Sequence, residues 1–372
     1  MRLWISGGGT GGHVYPALAV VEALTADRGP QTADVISWIG SQGGVEQELV
    51  ARAGLPFEAI PAGGLHGLAP WTATRNLARL ARGFARVWIL AAERKPQVLF
   101  VTGGFVSAPV AAVCWLRRVP ILVYLPDIEP GLAIKFLSRL ATKICVTAEP
   151  SRQFLPARKV VVTGYPVRQE LIRAREARDE ARAHFGLDAL HKTILVFGGS
   201  KGARSLNRAL SKALEPVLAR WQVIHISGTL DAGEAQARRE MLSDELKSRY
   251  KLFAYLHGEE MGLALAAADL VVSRAGASAL GELPLMGLPA ILTPYPFAWR
   301  YQKVNADYMV EQGAAARLDD EKLSQELLPT LENLLNDETR WAAMRERARS
   351  LARPEAASAL ASQLRSLAGG AQ

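Results

Sequence analysis

The stretch Leu3-Trp4-Ile5-Ser6-Gly7-Gly8-Gly9-Thr10-Gly11-Gly12-His13 decides the fold, because it reads as a short apolar strand running straight into a glycine turn. An apolar run without polar alternation suits a strand covered on both faces. The spacing Gly-x-Gly-x-x-Gly suits a strand-to-helix turn. The same rhythm recurs downstream, with apolar runs at 35–39, 98–101, 121–124 and 144–147 separated by segments of helical spacing. It restarts at 193–197 and continues through 223–226, 251–255, 270–273 and 290–293. Strands alternating with helices predict an α/β class with parallel sheets, and the restart predicts a second sheet. A chain of 372 residues also exceeds the size at which single cores stop growing. The stretch 160–168 leads into a charged helical run over 169–184, which places the boundary near Gly164-Tyr165-Pro166. The expected organisation is a first domain over 1–164, a second over 165–350, and a terminal stretch 351–372 whose helical pattern at 356–367 packs back on the first.

Composition narrows the function classes. Hydrophobic residues make up 49% and charged residues 22%, a balance that leaves no room for long disordered segments. The net charge of +8 favours a polyanionic partner: nucleic acid, anionic lipid or a phosphorylated substrate. Cys114 and Cys145 lie in apolar surroundings without metal-ligand spacing, so a disulfide framework or zinc site has no support and a reducing compartment fits. No charged start and cleavable apolar region precede the glycine turn, so secretion is not expected. The uncharged stretch 98–116 has the length of a membrane span, but Thr102-Gly103-Gly104 and Pro109 interrupt it, and it reads as strand, turn and buried helix.

Two further turns repeat the first. Gly198-Gly199-Ser200-Lys201-Gly202-Ala203-Arg204 and Ser273-Arg274-Ala275-Gly276-Ala277-Ser278 each follow an apolar run and open a helix. Glycine lets the backbone approach a ligand, and a helix start offers amides and partial positive charge to a phosphate; a plain tight turn is the alternative for either loop taken alone. Glu282, one turn into its helix, has the chemistry to accept two ribose hydroxyls, against the commoner reading of a solvated helix-face acid. A nicotinamide-dependent oxidoreductase is favoured by residues 7–12 alone. It also needs an acid at the end of the second strand, where the sequence has Ile39-Gly40-Ser41.

Gly8-Gly9-Thr10-Gly11-Gly12-His13-Val14-Tyr15-Pro16, Thr102-Gly103-Gly104-Phe105-Val106-Ser107 and Gly198-Gly199-Ser200-Lys201-Gly202-Ala203-Arg204, in that order, resemble signatures of the MurG family. The turn 273–278 with Glu282, Gly287 and Pro289, then Pro294-Tyr295-Pro296 and Asn305-Ala306, is similar to that family's donor-binding segment, so the resemblance spans residues 1–318. It implies the GT-B fold, two Rossmann-like domains with parallel sheets facing across a cleft. It also implies an inverting transfer of N-acetylglucosamine from UDP-N-acetylglucosamine to undecaprenyl-diphosphate-linked N-acetylmuramyl peptide, the lipid I to lipid II step of peptidoglycan synthesis. By that resemblance Thr10, Gly11, Gly12, Asp127, Arg168, Ser200, Ala277, Ser278, Ala279, Leu280, Gly281, Glu282, Tyr301 and Gln302 meet the donor, and Gly103, Gly104 and Phe105 meet the acceptor. His13 is the candidate general base for the attacking hydroxyl, or else a group that only orients substrate. No Asp-x-Asp pair is present, so no motif calls for a divalent metal, and the UDP-sugar enters as substrate with no cofactor beside it.

The chain departs from the family pattern at Asp127, where the family has asparagine, at Tyr165 before Pro166, and at Tyr301 beside Gln302. These departures keep open a related GT-B transferase with another sugar or lipid acceptor, or a UDP-sugar epimerase. Between residues 71 and 95, Trp71, Leu77, Leu80, Phe84, Trp88 and Ile89 interleave with Arg75, Arg79, Arg82, Arg86, Arg94 and Lys95. That composition fits a helix lying on anionic lipid, and equally an amphipathic helix packed on the sheet with its arginines in water. The implied partners are a UDP-sugar, a lipid-linked acceptor, an anionic membrane surface and other cell-wall synthesis enzymes. The implied location is peripheral, on the cytoplasmic face of the plasma membrane. Nucleic acid is not expected, since no recognition motif accompanies the charge.

Overall fold

The computed structural model describes residues 1–9, 11–26, 34–63, 70–199, 202–297 and 300–370, with side chains of the first long helix described from Arg75 onward. The chain divides into two compact units, Met1–Arg168 together with Arg353–Gln372, and Gln169–Ala352.

In the first unit, β1 (Arg2–Gly7), β2 (Val35–Ser41), β3 (Phe57–Ile60), β4 (Val98–Gly103), β5 (Ile121–Leu125), β6 (Lys143–Val146) and β7 (Val160–Val162) form one parallel sheet in the order β3-β2-β1-β4-β5-β6-β7. Helices α1 (Gly11–Ala26), α2 (Val45–Arg52), α3 (Pro70–Arg94), α4 (Ser107–Leu116) and α5 (Leu132–Leu140) connect the strands. The apolar runs serve two cores because successive side chains leave opposite faces. Leu3 and Ile5 enter the core beneath α1, while Trp4 enters the core beneath α3, α4 and α5. Phe100, Leu122 and Tyr124 join the first of these, Leu99, Val101 and Val123 the second. The terminal helix Ala356–Gly369 closes the α1 face with Leu360 and Leu364, both fully buried. Burying each of those leucines stabilises the unit by about 1.5–3 kcal/mol, so this helix belongs to the first core energetically as well as spatially.

The second unit repeats the plan with β8 (Thr193–Phe197), β9 (Gln222–Ile226), β10 (Tyr250–Phe253), β11 (Leu270–Ser273), β12 (Ala290–Leu292) and β13 (Ala315–Arg317) in the order β10-β9-β8-β11-β12-β13, all parallel. Its main core gathers Ile194, Val196, Leu206, Leu210 and Val272 with Leu327, Leu331 and Leu334.

Three strands escape a reading of apolar runs. Phe57–Ile60 carries a glutamate, Val160–Val162 is three residues long and sits in the stretch read as a linker, and Ala315–Arg317 is small and partly polar. All three are sheet edges, where one neighbour suffices and the pattern is weakest. The helical run expected over 169–184 is two helices, Gln169–Ala174 and Arg178–His184, parted where Arg175 and Ala177 donate to the Ile172 and Ala174 carbonyls in tight turns.

Candidate active site

In each unit the strand order reverses once, between β1 and β4 in the first and between β8 and β11 in the second. Loops leaving neighbouring strands at such a reversal diverge to opposite faces and open a crevice at the carboxyl ends, the usual ligand position in a doubly wound sheet. Every glycine turn singled out above leaves one of these four strands.

In the first unit the turns after β1 and β4 interlock through backbone. Gly103 and Gly104 have φ of +121° and +87°, open to glycine and strained for other residues. A Cβ at Gly104 would stand 2.7 Å from the Gly8 carbonyl oxygen, and one at Gly103 would stand 3.0 Å from His13 Nε2. The half-buried His13 side chain bonds through Nδ1 to the Gly8 carbonyl at 3.0 Å. A carbonyl only accepts, so the hydrogen belongs on Nδ1 and the lone pair on Nε2. Below the turn lies Glu46, the second residue of α2 and fully buried. Its carboxylate accepts from the Gly9 amide at 3.1 Å, from the Ser41 amide at 2.9 Å, and from the Ser41 hydroxyl. Burial alone raises its pKa, but the Ser41 hydroxyl and the backbone amides outweigh that and hold the carboxyl below its ordinary range.

In the second unit the turn after β8 is built on Gly199 and Gly202, with φ of +90° and +78°. The turn after β11 is laced by Arg274. Its guanidinium donates to the Thr293 carbonyl at 3.1 Å, the Ser205 hydroxyl at 2.7 Å and Asp320 at 2.5 Å, and it lies over the Tyr295 ring at 5.4 Å. One side chain thus ties together the turn after β11, the start of the helix Arg204–Leu218, the loop after β12 and the segment after β13. Asn305, fully buried, adds a bond from Nδ2 to the Ala275 carbonyl at 3.1 Å. Glu282, half-buried, donates its amide to the Ser278 carbonyl, which orients the first turn of the helix Ala279–Met286. Gln302 accepts from the Tyr295 amide at 2.8 Å through Oε1, and its Nε2 is a donor. Among the described residues no group of three or more His, Cys, Asp or Glu side chains is placed to hold a metal ion.

The model of the glycosyltransferase family 28 N-terminal domain matches residues 3–146, and that of the glycosyltransferase family 28 C-terminal domain matches residues 193–360. A relative from Roseiflexus sp. (strain RS-1), named UDP-N-acetylglucosamine–N-acetylmuramyl-(pentapeptide) pyrophosphoryl-undecaprenol N-acetylglucosamine transferase, is 42% identical over 99% of this chain and 95% of its own. One of the same name from Desulforudis audaxviator (strain MP104C) is 38% identical over 99% of both. The crystal structure of Acinetobacter baumannii MurG superposes with a TM-score of 0.78 at 25% identity, covering 98% of this chain and 99% of that one. The chain belongs to the MurG family. It carries that family's GT-B fold, two doubly wound α/β domains, and it is a glycosyltransferase.

Within this MurG-family chain the residues singled out from sequence separate into groups. Gly103, Gly104 and His13 come together in the first unit, with Phe105 40% exposed beside them in sequence. Arg168, assigned by resemblance to the donor set of the second domain, is the last residue of the first unit and lies over the Tyr15 ring of α1 at 4.6 Å. A Cβ at Gly11 would stand 3.0 Å from that same ring, so Gly11, Tyr15 and Arg168 pack in series. Asp127 is half-buried in the loop after β5, next to Pro126, whose carbonyl accepts from the Thr147 hydroxyl. Tyr165 is buried. In the second unit Ala279, Leu280 and Gly281 are buried, and their amides bond to the Gly276, Ala277 and Ser278 carbonyls. Ala277 is buried as well, which leaves Ser278 and Glu282 as the half-buried part of the segment, with Tyr301 half-buried at the start of the helix Tyr301–Glu311. Gly12 lies in the first turn of α1. Thr10, Ser200 and the side chain of Trp71 lie outside the described residues.

Sequence reading missed Glu46 and Arg274 as site-building groups. Arg274 stood inside a quoted turn. Glu46 had no local signal beyond following Ser41 by five residues.

The family member also carries an apolar surface on its first unit. One face of α3, with Asn76, Gly83, Val87, Leu90 and Ala91, is buried, and Phe84 packs against that core. Leu77, Trp88 and Ile89 remain exposed, as do Trp115 and Leu116 of α4 and Leu132 and Phe136 of α5. Arg117 joins two of these helices, its guanidinium 4.4 Å over the Trp88 ring and bonded to the Trp88 carbonyl. Arg75, Arg79, Arg82 and Arg86 on α3, and Lys135 and Arg139 on α5, are exposed around this surface. No helix among the described residues is long and apolar enough to cross a membrane.

Proposed function

We propose that this chain transfers N-acetylglucosamine from UDP-N-acetylglucosamine to N-acetylmuramyl-(pentapeptide) pyrophosphoryl-undecaprenol, with inversion at the sugar. The observation that carries the reading is the identity of 42% with a transferase of that name over 99% of this chain. The second unit holds the donor. Glu282 accepts the ribose hydroxyls, amides of the turn after β11 face the diphosphate, and Gln302 Nε2 meets the sugar. The first unit supplies His13, whose Nε2 lone pair takes the proton as the acceptor hydroxyl attacks the anomeric carbon and the bond to UDP breaks. Helix-start amides and Arg168 offset the charge that develops on the leaving diphosphate. Thr10 and Ser200 are assigned to the donor, Gly103, Gly104 and Phe105 to the acceptor.

The exposed apolar surface of α3, α4 and α5, rimmed by arginine and lysine, docks the chain on anionic lipid, the phase that holds a polyprenyl acceptor. This reading puts the enzyme peripherally on the cytoplasmic face of the plasma membrane, where other cell-wall synthesis enzymes are its neighbours. Incubation of the purified protein with labelled UDP-N-acetylglucosamine and the muramyl lipid in vesicles tests the assignment. Label in the lipid fraction is expected. Turnover only with a different lipid acceptor, or none with either, overturns it.

A further inference from the structure

We propose that Glu46 is a positioning residue of this transfer: its buried carboxylate locks the first glycine turn in the shape in which the Gly8 carbonyl sets the His13 ring with hydrogen on Nδ1 and the lone pair on Nε2. The inference rests on the role given to His13 above.

Three observations point the same way. The carboxylate is fully buried, although it stands in the first turn of an eight-residue helix, where an acid ordinarily faces water. The space for it is cleared by glycine. A Cβ at Gly8 would stand 2.5 Å from the carboxylate, one at Gly44 would collide with it, and one at Gly40 would stand 3.0 Å from Cγ. Its donors come from two loops at the carboxyl ends of neighbouring strands: Ser41 at the end of β2, five residues before Glu46, and Gly9 in the turn after β1, thirty-seven residues before it. An acid that served only to cap its own helix has no need of the Gly9 amide.

The coupling to His13 runs through one peptide unit. The Gly9 amide nitrogen and the Gly8 carbonyl belong to the same planar group, so they point in opposite directions. Fixing the amide on Glu46 Oε2 therefore fixes the carbonyl on His13 Nδ1. Rotation of that peptide plane removes the acceptor from Nδ1 and frees the ring to adopt the other tautomer, which has no lone pair on Nε2. A carboxylate suits the task because it is acceptor-only and faces three donors; the retained charge, held low by those donors, keeps it so at working pH.

Glu46→Gln tests this with its shape preserved, since an amide NH2 then faces either the Gly9 or the Ser41 N–H. Histidine-15N spectra at about pH 8.5, with the His13 signals assigned by their loss in His13→Ala, report the tautomer. The parent is expected to show hydrogen on Nδ1. Glu46→Gln is expected to show a mixture, with kcat lowered tenfold or more and KM for the UDP-sugar within twofold. Ser41→Ala, which removes one donor and folds more readily, is expected to show the same change to a smaller degree and carries the test if Glu46→Gln does not fold. A parent ring with hydrogen on Nε2 overturns the proposal. So does a variant that keeps the parent tautomer and loses kcat only in step with its folded fraction. Failure of the His13 assignment looks different: His13→Ala then turns over like the parent while the tautomer still responds to Glu46.

Discussion

The glycine turn after β1 in the first unit and the turn after β11 in the second are built around opposite charges. Beneath the first lies Glu46, an ionised carboxylate whose partners are neutral amides and a hydroxyl. Beneath the turn after β11 lies Arg274, a guanidinium paired with Asp320 and otherwise bonded to carbonyls and a hydroxyl. The first turn is therefore set over a net negative charge and the other over a neutral pair. A phosphate about 8 Å from an unpaired carboxylate is disfavoured by about 2 kcal/mol at an effective dielectric of 20. Under the proposed function, similar glycine chemistry thus serves two ends: the first turn aims a base, and the other faces a diphosphate. A glycine-rich sequence alone does not distinguish these uses, and the buried side chain underneath does.

The sharpest way to break this comparison is His13→Ala. Loss of a general base lowers kcat by about 10²–10⁴-fold, while affinity for the UDP-sugar stays near that of the parent. Equal losses in turnover and donor affinity would show that both turns hold the same ligand group.

Acid separates the units next. His225 is buried in the second, bonded to the Tyr250 hydroxyl at 2.6 Å and to Asn207 at 3.0 Å. Burial pushes its pKa down to about 4, against a weaker upward pull from Asp231. The folded value lies below the ordinary 6.5, so the unfolded chain takes up the proton first. Stability is complete above pH 6.5 and falls by about 3 kcal/mol as pH drops to 4. Glu46 behaves otherwise. Its folded pKa lies below the ordinary 4.5, so its contribution persists down to that pH and is lost only as pH falls through the lowered value. Hydrogen exchange at pH 5 is expected to show the second unit loosened and the first intact. His225→Gln should flatten that limb, and a variant with the parent's slope between pH 6.5 and 4.5 would remove His225 as its source.

Much of this arrangement was legible in sequence. The alternation of apolar runs and helical patterns gave the two sheets, and four glycine turns marked the four strand ends at the points where strand order reverses. Edge strands such as Phe57–Ile60 and Ala315–Arg317 were not legible, because one sheet neighbour and partial burial impose little pattern. The resemblance assigns Arg168 to the donor, and the side chain lies over the ring of Tyr15, thirteen residues past the first strand's start. Such a contact depends on tertiary placement and leaves no mark in local spacing. Glu46 shows the same limit, since its two partners are five and thirty-seven residues away.

Glu282→Ala probes the donor turn by itself. A carboxylate bonded to ribose hydroxyls contributes about 1.5–3 kcal/mol, so affinity for UDP should fall roughly 10- to 100-fold with little change in kcat at saturating donor. Calorimetric titration of UDP measures it. Equal affinity in variant and parent would place the ribose elsewhere.

The smallest effect expected belongs to the surfaces the units show to water. In the second unit Leu190, Leu230 and Met241 sit singly in turns and Tyr295 pairs with Phe297, whereas the exposed apolar side chains of the first gather on α3, α4 and α5 among arginines. A surface basic residue near anionic lipid is worth about 1 kcal/mol, so Arg86→Gln should weaken binding to phosphatidylglycerol vesicles about fivefold. That loss should vanish near 1 M salt, where the Debye length is about 3 Å, while the loss from Trp88→Ser should persist because apolar burial is not screened. Met241→Ser in the second unit should leave vesicle binding unchanged. If all three variants lose binding alike, lipid contact is spread over both units and the surface of the first has no special part in it.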